Sequence, residues 1–125
     1  MNLKPHKLAL ATATMIMMTA VYAQQGAVGE VELTDTLISI SGSGHQRTIP
    51  CEGRKLELNG TDNVITTTGV CAGAEIYGAK NTVSIEVQPK GRLEITGVNH
   101  TVRWKSEGKI AEVVTGTGHK ITRVK

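Results

Sequence analysis

Three of the four histidines, His45, His100 and His119, each stand three residues after a glycine. Imidazole is a common ligand for zinc and copper, so His100 and His119 are the candidates for a shared metal ion. A metal centre usually takes three or four ligands, and the chain offers neither a C-x-x-C pair nor an Asp-rich calcium loop to complete one. Glu57, Glu75 and Glu94 also recur at matching places, and carboxylates ~5–9 Å apart can run glycoside hydrolysis. Such a site wants an aromatic wall for the sugar, yet the chain has no Phe, one Trp and two Tyr. Thr66-Thr67-Thr68 could begin an ice-binding threonine array, but its column reads Thr48, Thr66, Ser84, Arg103, Thr122, and Arg103 interrupts the lattice. No G-x-S-x-G nucleophile motif and no phosphate-binding loop occurs. The plainer expectation is that the imidazoles stand in for Asn in a turn and that the glutamates are a solvated face. No cofactor is implied.

Those residues belong to a repeat. Five segments share one template: an alternating run, Gly, two residues, Asn or His, then a second alternating run. The marker glycines are Gly42, Gly60, Gly78, Gly97 and Gly116, and the residues three further on are His45, Asn63, Asn81, His100 and His119. Successive markers are 18, 18, 19 and 19 residues apart. Within each unit the apolar period is two: Ile38/Ile40, Leu56/Leu58, Ala74/Ile76 and Leu93/Ile95 flank the polar Ser39, Glu57, Glu75 and Glu94. That is the pattern of strands with one buried face. Gly together with Asn or His is expected to supply the positive φ of a tight bend. A second bend recurs near Gly53, Gly73, Gly91 and Gly108.

Units too short to bury their own apolar face do so by stacking. The expected fold is all-β, a parallel β-solenoid of about five coils, with equal template positions forming columns ~4.8 Å apart. An antiparallel β-sandwich, with each Gly-x-x-Asn as a hairpin loop, is the alternative, but it gives the matched columns no reason to exist. Cys51 and Cys71 lie one coil apart at the same bend, so the solenoid brings them within disulfide range. The end units differ from the rest. Arg47 takes an inward slot in the first, and Glu112 and Arg123 do so in the last, as capping coils would. Residues 24–35 form a non-repetitive lead-in or cap, and residues 36–125 the repeat domain. Lys125 follows directly on a strand, and an open strand edge invites pairing with another chain.

Residues 1–23 carry Lys4 and Lys7, an apolar run from Leu8 to Val21, and small residues at Val21 and Ala23. This is the form of a secretory signal peptide cleaved after Ala23. The apolar run falls short of the ~20 residues a membrane span needs, and no later segment is apolar enough to cross. With the leader set aside, the formal charge of +3 falls to near neutral, 12 bases against 11 acids. Bases are interspersed with glutamates and stacking aromatics are missing, which argues against nucleic acid as a partner. An even cysteine count in an exported chain favours the Cys51–Cys71 disulfide over a metal site.

Strand-Gly-x-x-Asn-strand units with Cys-x-Gly interruptions after a signal peptide resemble the exported bacterial family catalogued as domain of unknown function 3060. Asn81-Thr-Val83 after Gly78 carries that family's repeated Ser-Gly-Ser-Gly-Asn-Thr-Val pattern most closely, and Gly42-Ser-Gly44 carries it with His45 in place of Asn. The resemblance runs from about Leu37 to Ile121. It implies a β-solenoid-like fold and a periplasmic or secreted location, and it brings no catalytic residues. The expected function is that of an exported, non-enzymatic structural or interaction module, partnered by an envelope protein or by self-association through the C-terminal edge. A small envelope glycan hydrolase or lyase, or metal binding through His100 and His119, is the alternative.

Overall fold

The computed structural model describes residues 26–125; the leader and its cleavage point after Ala23 lie outside them. The described residues form nine strands: β1 (Val28–Leu33), β2 (Leu37–Ser43), β3 (Gln46–Pro50), β4 (Lys55–Thr61), β5 (Val64–Ala79), β6 (Thr82–Val98), β7 (Thr101–Lys105), β8 (Ala111–Thr117) and β9 (Lys120–Arg123). β2, β4, the second half of β5, the second half of β6 and β8 pair in parallel, one above another. β3, the first half of β5, the first half of β6, β7 and β9 make a second parallel stack. Each coil therefore contributes one arm to each stack, and the chain is a parallel β-solenoid of about five turns. Parallel pairing throughout the repeats excludes the sandwich, whose hairpins would pair antiparallel.

Register is what the repeat demanded. Gly42, Gly60, Gly78, Gly97 and Gly116 pair in succession along one ridge. Ile40, Leu58, Ile76, Ile95 and Val114 form one inward column, and Ile65, Val83, Val102 and Ile121 another. The inward side chains of both arms merge into a single buried cluster. A one-residue slip would turn every one of them outward, so the alternation itself fixes the register.

The ridge has to be glycine. A Cβ on Gly78 would run into the carbonyl oxygen of Gly60, and a Cβ on Gly97 into that of Gly78. The rest of the bend differs from the expectation. Positive φ falls on the ridge glycine and on the residue just before Asn or His: Gly44, Asp62, Lys80, Asn99 and Gly118. The Asn and His themselves are not in that conformation; their side chains do the work, as described below. At the second bend Gly53 has a positive φ, but Glu52 and Lys90 carry it too, and Gly73, Gly91 and Gly108 do not.

The two ends are finished differently. β1 pairs antiparallel with β2, with Gly29 opposite Gly42 and Val31 opposite Ile40, so a non-repeat strand covers the first coil. Arg47 stands in register with Ile65, Glu112 with Leu93, and Arg123 with Trp104. All three are exposed, and all three lie over the end of an apolar column. Arg123 sits 5.1 Å from the Trp104 ring centroid and donates to the carbonyls of Ser106 and Gly108 at 3.3 and 3.2 Å. A guanidinium can cover an apolar ring and still keep its donors satisfied.

Cys51 and Cys71 are disulfide-bonded, with Cα atoms 5.1 Å apart and both side chains fully buried. The bridge crosses the second bend, where β5 shifts register against β6 between Thr66 and Val70. Among the described residues, no helix is long and apolar enough to cross a membrane.

Candidate functional site

Asn63, Asn81 and His100 are fully buried and His45 nearly so, and among the described residues these four are the buried polar ones, all in the bend column. Buried polar groups must be hydrogen-bonded, and here the bonds run up the column. The backbone N–H of His45 donates to Oδ1 of Asn63 at 2.9 Å, and that of Asn63 donates to Oδ1 of Asn81 at 3.1 Å. The amide Nδ2 of Asn63 also donates to the Gly42 carbonyl, and that of Asn81 to the Gly60 carbonyl, each reaching back to the ridge glycine of the preceding coil.

His100 and His119 extend this ladder with a ring. The N–H of Asn81 donates to Nδ1 of His100 at 3.2 Å, and the N–H of His100 donates to Nδ1 of His119 at 3.2 Å. Each Nε2 lies 3.0 Å from a carbonyl four residues back, Thr96 for His100 and Thr115 for His119. Nδ1 as acceptor and Nε2–H as donor therefore reproduce Oδ1 and Nδ2 of asparagine and define the tautomer. His45 places its Nε2 against the Ser41 carbonyl in the same way. Burial holds the His100 imidazole below its ordinary pKa, the Thr96 carbonyl opposes that shift, and His119 adds to it.

This geometry bears directly on the metal candidate. The rings of His100 and His119 stack face to face, centroids 5.1 Å apart and planes within 8°. Both nitrogens of each ring already have backbone partners, and the lone pairs do not converge on a common point. Among the described residues, no cluster of three or more His, Cys, Asp or Glu could hold a metal ion.

The carboxylates gather on the outward face of the first stack. Glu57, Glu75 and Glu94 are register neighbours, as the repeat requires. They are not free. Lys55 Nζ meets Glu75 Oε1 at 2.7 Å, Arg92 meets Glu94 Oε2 at 2.9 Å, and the Tyr77 hydroxyl donates to Glu94 Oε1 at 3.3 Å. Partial burial raises the Tyr77 pKa, and the nearby Glu75 and Glu94 carboxylates raise it further. The cations come from the adjoining column, where Lys55, Gly73 and Arg92 are in register. The surface is a lattice of ion pairs, of which the Lys55–Glu75 and Arg92–Glu94 pairs are partly exposed and individually worth ~0–1 kcal/mol.

A second concentration of charge lies at the C-terminal end. Glu86, Lys105, Ser106, Glu107 and Arg123 line an open hollow of about 550 Å³. Lys105 approaches Glu86 at 3.7 Å, and Arg123 is committed to Trp104 and two carbonyls. Sequence reasoning missed the Tyr77–Glu94 contact and the stacking of Arg123 on Trp104. The second was legible in principle, because a charged residue followed Ile85 and Trp104 at the same template position.

The edge of the last coil is the remaining feature. β8 pairs with β6 on one side and with no described strand on the other. Val114, which ends an inward column, is 44% exposed. Such an edge offers unpaired backbone groups together with an apolar strip.

Comparison with curated proteins and with solved structures finds no match. A family match does exist, narrower than the repeat itself, spanning the second to the fifth ridge bend. Residues 58–119 of this chain match the family described as Protein of unknown function (DUF3060).

Proposed function

We propose that this protein is an exported, non-catalytic β-solenoid that serves as an interaction module, and that its working surface is the free edge of β8. One observation carries the reading: the buried polar column, which is the chain's most regular functional-looking feature, is consumed by coil-to-coil hydrogen bonds. On the glutamate face, Glu75 and Glu94 are similarly occupied by Lys55, Arg92 and Tyr77. Among the described residues, backbone is left unpartnered along the edges of β1, β3, β8 and β9, of which β8 is the longest. Strand addition at a sheet edge is an established mode of protein recognition. The signal-peptide-like leader and the buried disulfide support an extracytoplasmic setting.

The test compares two variants of the purified protein on a resin exposed to envelope extract. Val114→Lys places a charge on the free edge, whereas Glu75→Gln alters only the charged face. The reading expects the edge variant to lose captured protein and the face variant to keep it. Retention by Val114→Lys, or glycan turnover that Glu75→Gln abolishes, would overturn it in favour of the hydrolase or lyase.

A further inference from the structure

We propose that the strand received by β8 is β1 of a second copy of this chain, paired antiparallel so that Val114 lies opposite Val31. This rests on the reading of β8 as an interaction edge and narrows its partner to one.

Three observations converge on β1. It is itself an edge strand, paired only with β2 among the described residues. It continues the same columns that β8 ends. Val31 stands next to Ile40 and Gly29 next to Gly42, whereas Val114 stands next to Ile95 and Gly116 next to Gly97. Among the described residues, the apolar column and the glycine ridge thus stop at β1 on one side and at β8 on the other, at positions that meet when Gly116 is set opposite Gly29. β1 also leaves Val28 67% and Leu33 54% exposed.

Charge favours head against tail through the residues that flank the strands. Residues 26–36 carry Glu30, Glu32 and Asp35 and no base, although Arg47 stands on the other arm of the head. β8 itself carries only Glu112, opposite Leu33 in this register, but Lys109, Lys120, Arg123 and Lys125 surround it. Tail against tail would set those bases against one another, whereas head against tail sets them near the acids of β1.

The other half of each end carries no matching apolar column. β3 and β9 also have a free edge, but Arg47 lies over the column above Ile65 at the head and Arg123 over Trp104 at the tail, so a junction there would bring two bases together. The pairing is therefore that of β8 with β1. One strand of seven residues buries less than the ~1,200 Å² of a standard interface, so the contact is weak and reversible. Because it is heterologous, it does not close on two copies and leads to open chains.

Two cysteine variants, Val114→Cys and Val31→Cys, test this with the native disulfide left oxidised. Opposed residues in an antiparallel pair lie within disulfide reach. Mixing the two proteins is expected to give a cross-linked pair at least tenfold above either protein alone, and high salt should reduce the yield. Cross-linking of Val114→Cys to itself would establish a tail-to-tail contact instead and overturn the proposal. So would a mixture with no cross-link above background while both variants retain β-sheet circular dichroism. Sedimentation gives an independent readout on the unmutated protein. Its mean mass should rise with concentration and the Val114→Lys variant should stay monomeric; a wild-type monomer at ~1 mM would overturn the proposal. If self-association fails while Val114→Lys still abolishes capture of an envelope protein, this inference falls and the interaction-edge reading stands.

Discussion

The Nδ1 atom of His100 accepts the backbone N–H of Asn81 at 3.2 Å, the position that the Oδ1 of Asn81 itself occupies for the N–H of Asn63. Histidine and asparagine are interchangeable in this column because each offers an acceptor to the coil before it and a donor to its own bend. The equivalence holds only while the imidazole is neutral.

Acid should therefore loosen the C-terminal coils. An unfolded histidine titrates near 6.5, and burial holds His100 below that in the native state. Between those two values the unfolded chain binds the extra proton, so the contribution of His100 is complete above about pH 6.5 and is lost as the pH falls through its lowered native value. Denaturation midpoints at pH 7.5 and pH 5 should differ in that direction. His100→Asn, which keeps the ladder without a titrating group, should remove much of the difference.

Asn81→Ala deletes a buried acceptor and a buried donor. The N–H of Asn63 and the Gly60 carbonyl lose their partners. At ~1–3 kcal/mol for each buried polar group left unsatisfied, the cost is about 2–6 kcal/mol, measurable by chemical denaturation. Asn81→His should cost far less, because His100 and His119 already show how a ring fits.

Much of this architecture was legible in the sequence, and the reason is register. Gly42, Gly60, Gly78, Gly97 and Gly116 are spaced by one coil, and an apolar alternation that must bury one face leaves a single way to stack them. What was not legible depends on local geometry that carries no repeat. Of the residues in the left-handed conformation just before Asn or His, Gly44, Asp62, Asn99 and Gly118 are of types that favour it, but Lys80 is not. Thr67, Thr68 and Gly69 absorb the register shift of β5 against β6 beside the disulfide, although Thr67 and Thr68 still pair with Ile49 and Pro50, and such a one-sided slip leaves no mark in the periodicity. β1 has its own alternation, but its antiparallel direction follows from the chain folding back after Leu33, which periodicity does not encode. The candidate site was half legible. The column was visible, yet only coordinates show that both nitrogens of His100 are already engaged.

The ridge and the second bend should answer differently to substitution. Gly78→Ala would drive a Cβ into the Gly60 carbonyl at a φ of 111°, and the protein should fail to fold. Gly53 has a φ of 76° but nothing within 4 Å of the added Cβ. Gly53→Ala should cost only the ~1–2 kcal/mol of a left-handed alanine, with the thermal midpoint as readout.

Reduction of the Cys51–Cys71 bond releases a loop spanning 20 residues. The chain-entropy estimate for that length is about 3 kcal/mol. A Cys51→Ala, Cys71→Ala double variant should lose at least that much in urea denaturation, because both buried side chains also belong to the apolar cluster, while the two parallel stacks keep its β-sheet circular dichroism.

Nitrogen-15 NMR of the imidazoles addresses the column most directly. At neutral pH, with and without Zn²⁺, His100 and His119 should show a protonated Nε2 and an acceptor Nδ1, with no change on adding the metal. The N–H of Asn81 should show coupling across its hydrogen bond to the His100 ring. A protonated Nδ1, or ring signals that move with micromolar Zn²⁺, would contradict the assignment of these histidines to coil stacking.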